Sequence, residues 1–163
     1  MKDELQTKLD SVFIKHEASK AAAAQVQRIA KNKEDECLEA FAVVRHTLIG
    51  PAMKEIGEYI KAKGYTYEIS VVNGGFEPGR DRREVPASIR LTFLLGDRNL
   101  PDYEYPGFSV ICEKSRGTVL FHESTSSPGR GGHSGPAGEV KISELTKELL
   151  QERILKVIAE IFA

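Results

Sequence analysis

Residues 56–72 read IGEYIKAKGYTYEISVV, and the spacing of the apolar side chains changes inside them. Up to Lys63 the period is helical. Ile56 and Ile60 continue a stripe that runs back through Ala52, Leu48, Val44 and Phe41. Beyond Gly64 the period is two, with Tyr67, Ile69 and Val71 alternating with Thr66, Glu68 and Ser70. Glycine is the usual residue just past a helix end, because it takes a left-handed conformation at little cost. The stretch therefore predicts helix before residue 64 and half-buried strand after it, which is an α+β pattern.

Downstream the period of two recurs. Ile89, Leu91, Phe93 and Leu95 alternate with Ser88, Arg90 and Thr92. Phe108, Val110 and Cys112 alternate with Ser109 and Glu113, and only Ile111 breaks the pattern. Thr118–Glu123 reads as a further strand, joined to the one before by the tight loop Lys114-Ser115-Arg116-Gly117. Strands that follow one another without an intervening helix predict an antiparallel meander, here of four to five strands. The connections 73–86 (NGGFEPGRDRREVP), 96–106 (GDRNLPDYEYP) and 124–138 (STSSPGRGGHSGPAG) are long. A short stretch, Glu139 to Ile142, precedes a closing helix that starts near Ser143, a suitable N-cap. Its face of Leu145, Leu149, Leu150, Ile154, Val157, Ile158 and Ile161 is apolar enough to cover the sheet.

Upstream, no glycine or proline falls between Asp3 and Ile49. Leu5, Leu9, Val12, His16, Ser19, Ala23, Val26 and Ala30 recur alternately four and three apart, an a/d heptad seam whose middle is small or polar. Ala21–Ala24 would let a partner helix approach closely. Two readings stay open for this segment. It is either one helix, about 70 Å long through Leu48, or a helical hairpin turning at Asn32-Lys33-Glu34-Asp35. Gly50-Pro51 predicts a kink or a restart, because proline suits the first helical position and costs about 3 kcal/mol inside a helix. The organisation expected is a single domain, 1–163. It comprises a helical arm and packing helix (1–63), an antiparallel sheet with long loops (64–142) and a C-terminal helix on the sheet (143–163).

The chain has 163 residues, long enough to bury a core without a disulfide or metal staple. Its 23 basic and 24 acidic side chains leave a net charge of −1, which removes the simplest case for nucleic-acid binding. Residues 1–33 alone carry seven basic and four acidic side chains. Cys37 and Cys112 form no CxxC pair and read as small buried hydrophobes. No apolar leader opens the chain and no run approaches the roughly 18 apolar residues of a membrane span. A cytoplasmic protein without a membrane segment is the expectation.

The segment 128–138, PGRGGHSGPAG, is the most glycine-rich. Glycine brings backbone N–H groups close to a ligand, and Arg130 and His133 add charge. Arg130, Gly131, Gly132, His133 and Ser134, with His122 on the preceding strand, are therefore the candidate ligand-binding residues for a small anion. Neither the P-loop nor the dinucleotide spacing is present, so the plain alternative is a turn-rich connection. No HExxH occurs, so no metal set and no cofactor is assigned. Serines 124, 126, 127 and 134 lie near two histidines, yet no GxSxG elbow frames them; no catalytic residue is assigned and enzymatic activity stays open. Arg80, Arg82, Arg83, Arg98 and Arg130 would matter only if the fold gathered them. Tyr103 and Tyr105 read as a binding surface or as a cap on the sheet.

The leading expectation is a non-enzymatic interaction protein that self-associates through Leu5, Leu9, Val12, His16, Ala23 and Val26, as a homodimer or with a helical partner. The alternative is a small-ligand or phosphate-binding protein, an enzyme included, that uses residues 128–138.

Overall fold

The computed structural model describes residues 2–76, 83–96, 100–126 and 131–163. A continuous helical run occupies Lys2 to Ala62: α1 (Lys2–Val44), a π turn (Arg45–Ile49) and α2 (Gly50–Ala62). The single-helix reading is the one realised, and Asn32–Asp35 makes no turn. Of the kink or restart expected at Gly50-Pro51, the restart is realised: α2 begins at Gly50 with Pro51 in its first turn, after the π turn. Pro51 has no N–H to give the previous turn, so a wider turn there costs little. Gly50 donates its N–H to the Arg45 carbonyl, five residues back. The extra residue also shifts the phase of the apolar stripe. Ile49 and Met53 are fully buried, whereas Leu48 is only half-buried.

Gly64, at φ +96°, ends the helix and feeds the sheet. Five strands follow one another as an antiparallel meander: β1 (Thr66–Val72), β4 (Ser88–Leu94), β5 (Gly107–Glu113), β6 (Thr118–Ser124) and β7 (Ser134–Lys141). A two-residue ladder of β2 (Gly75–Phe76) and β3 (Glu84–Val85) sits within the first long connection. The fifth strand starts earlier than expected, because Ser134–Gly138 belongs to β7 and not to a loop. Pro136 is tolerated there because β7 is an edge strand, where a missing donor disrupts no further ladder.

The last helix, α3 (Lys147–Ile161), starts later than Ser143. Ser143 lies in a 3-10 turn (Ile142–Glu144), and Leu145 is extended at φ −66° and ψ 129°. Thr146 is the cap instead, its hydroxyl accepting from the Leu149 N–H at 3.1 Å. Leu150, Ile154, Val157 and Ile161 then face the sheet. One sheet face meets the helices. Ile89, Leu91, Phe93, Phe108, Val110, Cys112, Val119 and Phe121 close on Cys37, Phe41, Ile49, Met53 and the α3 stripe in one core. Each such side chain contributes about 1.5–3 kcal/mol when fully buried. Among the described residues, no helix is long and apolar enough to cross a membrane.

Two close approaches fix how helix and sheet meet. Gly57 is buried under the Tyr67 ring, and a Cβ there would lie 2.4 Å from that ring. Tyr67 then donates its hydroxyl to Glu58 at 2.7 Å. Where the helix reaches the sheet, the Cys37 and Cys112 sulfurs are 3.8 Å apart and buried. Burial, with Cys37 alongside, pushes the Cys112 thiol up to about 12.

Candidate functional site

Every residue from Lys2 to Lys33 is exposed although all of them are helical. These 32 residues extend about 48 Å from the rest of the fold. The arm carries Leu5, Leu9, Val12, Phe13, Ile14, Val26 and Ile29, each between 46% and 68% exposed. Ordinary surface helices cover such side chains against a core. The predicted interface residues lie along one side. At about 100° per residue, Leu5, Leu9, Val12, His16, Ala23 and Val26 fall within about 60° of a common azimuth. Phe41, 36 residues or ten turns after Leu5, lies on that azimuth, and Cys37 lies beside it. The free seam is therefore the forward continuation of the face that is buried against the sheet from Cys37 onward.

The root of the arm is held firmly. Lys114, at the end of β5, bridges Glu34 at 3.7 Å and pairs closely with Glu84 of β3. Its hydrogen bond to Glu84, aided by the charges of Glu84, Glu34 and Asp35, raises the Lys114 pKa despite some desolvation. Further along, the Arg45 guanidinium lies over the Phe41 ring and donates to the Val72 carbonyl at 3.0 Å and to Asn73 at 2.9 Å.

The sheet face away from the helices holds a polar cluster that strand alternation did not reveal. Arg90 lies flat over Gly107, where a Cβ would meet the guanidinium at 2.8 Å. It donates from Nε to Thr92 at 3.1 Å, and from its other nitrogens to Ser109 at 3.3 Å and the Tyr105 carbonyl at 3.1 Å. His122 is the cross-strand neighbour of Ser109, and Ser124 that of Gly107. Ser124 is only 3% exposed, and its hydroxyl, like that of buried Tyr105, has no hydrogen-bond partner among the described residues. The signal available in the sequence was the row of small or hydroxyl residues around Arg90: Thr92, Gly107, Ser109 and Ser124. Only the strand register aligns it. Of the two tyrosines, Tyr105 is buried under this segment and Tyr103 is 77% exposed.

The described candidate ligand-binding residues fall on two sides of the sheet. His122, with Ser134 opposite Ser124, belongs to the outer face. His133 belongs to the rim on the helix side. Its Nε2 lies 3.3 Å from Glu123, and its Nδ1 lies 3.1 Å from the Thr125 hydroxyl and 3.9 Å from Glu160 near the end of α3. The Thr125 hydroxyl also lies 3.4 Å from the His133 carbonyl and accepts from the His133 N–H at 3.2 Å. The hydroxyl–imidazole–carboxylate order has the parts of a nucleophile and its base. What it visibly does is tie the residue before β7 to the end of β6, through Thr125 and Glu123. Gly131 and Gly132, at φ +71° and +146°, form the turn before it. Arg130, Arg80, Arg82 and Arg98 lie outside the described residues. Among the described residues no group of three or more His, Cys, Asp or Glu side chains is placed to hold a metal ion.

No protein-family model matches the chain, and neither a curated protein nor a solved structure matches it.

Proposed function

We propose that this is a non-enzymatic, self-associating interaction protein whose working surface is the N-terminal arm. One observation carries the reading: 32 consecutive helical residues, seven bulky apolar side chains among them, are left exposed by the described residues. In proteins most helical stability comes from packing an apolar face, and this arm has no such packing from its own described residues. A second copy supplies that packing at no cost in specificity, because each arm carries the same seam. Co-expression of two differently tagged copies tests it. The tags should co-purify with the full chain and separate when residues 2–33 are deleted. Co-purification that survives the deletion would place the contact elsewhere.

A second reading is supported by the orphaned Ser124 hydroxyl beside a half-buried cation. In it, the outer sheet face holds a small oxyanion against Ser109, Ser124 and His122, which the strand register sets side by side. Inorganic phosphate at millimolar concentration should then raise the melting temperature of the wild type and not that of Ser124→Val. An equal response from both proteins would remove this reading.

A further inference from the structure

Resting on the self-association reading, we infer that the second copy lies antiparallel along the arm, in the register that sets residue i opposite residue 35 − i. The first ground is where the free seam ends. From Cys37 onward the same face of the helix is filled by this chain's own sheet. A parallel partner helix, which runs past that level in the same direction, would have to occupy the space of the core. An antiparallel partner in this register ends with its Lys2 opposite Lys33, one turn short of Cys37. The exposed length and the overlap coincide.

Side-chain size gives the second ground. In antiparallel pairs an a position faces a d position of the other helix. The register places Leu5 against Ala30 of the second copy, Leu9 against Val26, Val12 against Ala23 and His16 against Ser19. Large meets small at Leu5–Ala30 and Val12–Ala23, so neither layer is left empty, and Leu9–Val26 supplies the bulkier layer between them. The polar residues meet each other at the dyad, where a polar layer specifies register more than it adds stability. In a parallel pair Ala23 would face Ala23 and leave the layer empty, while Leu5 and Leu9 crowded the other end.

Charge is the third ground. Arg28, Lys31 and Lys33 give the last part of the arm three positive charges without an acidic neighbour before Glu34. Parallel pairing puts the two clusters side by side. Antiparallel pairing separates them by about 40 Å, several Debye lengths at physiological salt. It also sets Glu4 on the same flank as Lys33 of the second copy.

Spin labels on the full chain read the arrangement directly, because both native thiols are buried and the labelled sites are exposed. Ala18→Cys and Arg28→Cys each place one label on the outer side of the arm. The antiparallel register requires a short interchain distance at position 18, about 20 Å, and a long one at position 28, about 35 Å. Short distances at both positions would mean a parallel pair and overturn this inference while leaving self-association intact. A slip of one heptad would show as a change of about 10 Å at position 28 and overturn the register. Absence of any interchain coupling at both positions would overturn the self-association reading itself.

Discussion

Cys112 shows how far a single residue's setting departs from what its type suggests. Its thiol, pushed from 9.0 up to about 12 by burial and by Cys37, is a thiolate at pH 8 far less often than an ordinary cysteine. Modification by a thiol reagent in native buffer should be much slower than in urea; comparable rates would mean that the junction between arm and sheet is open. Because the folded pKa is raised, the stability that the neutral thiol contributes is complete below pH 9. It is lost as pH rises from there toward 12, since the unfolded chain ionises first. Urea titrations at pH 8 and pH 10.5 should show a fall that Cys112→Ala lacks. Arg90 carries the opposite lesson for reading sequence. Its place in the pattern Ser88, Arg90, Thr92 marks it as water-facing, and it does lie on the outer face. Among the groups that hold it, besides Thr92 and Ser109, is the carbonyl of Tyr105, which the chain returns by a connection whose path no periodicity encodes. The burial of the Cys pair was legible from the apolar run around Cys112; their meeting was not, because it joins residues 75 positions apart.

Elements were read best where the period was sustained. The change at Gly64, the inward faces of β4 and β5, and the stripe of α3 follow from periods of two and 3.6. The misreadings fall at element ends. Ser143 and Thr146 are both acceptable caps, and the extended Leu145 between them decides for Thr146. The strand β7 was masked by its own glycines and proline, which an edge strand tolerates and a central strand does not. The π turn escaped notice because it is an adjustment to Pro51 that leaves no pattern of its own. Two tests belong at this scale. Gly57→Ala forces a methyl group into the Tyr67 ring and should cost about 1–3 kcal/mol by urea unfolding. A change below about 0.3 kcal/mol would mean that α2 and β1 are not in close contact. The arm, by contrast, should be dispensable to the rest of the fold. Deleting residues 2–33 should leave the urea midpoint of the remaining protein unchanged, and a large loss would show that the arm folds back onto its own chain. Helical ellipticity of the full chain should fall on dilution as arms part, while the near-ultraviolet signal of the buried tyrosine stays constant.

At the scale of the whole molecule, one helical run passes from free arm to core component, keeping its face up to Phe41 and shifting its phase at the π turn. Its first 32 residues offer that face outward, and the rest close it against a five-stranded sheet. The heptad spacing announced the seam; whether it turned back as a hairpin was settled only by how the chain uses Asn32–Asp35, as plain helix leading into Glu34 and its bridge to Lys114. Small side chains at Ala23 and Ala30 weaken the seam as a core and suit it to reversible pairing. Sedimentation equilibrium of the full chain is the most direct measurement. At tens of micromolar it should give a mass of twice the 18.0 kDa of one chain, while the chain lacking residues 2–33 should sediment at its own, smaller monomer mass. A full-length chain that sediments at 18.0 kDa up to the highest soluble concentration would contradict self-association through the arm.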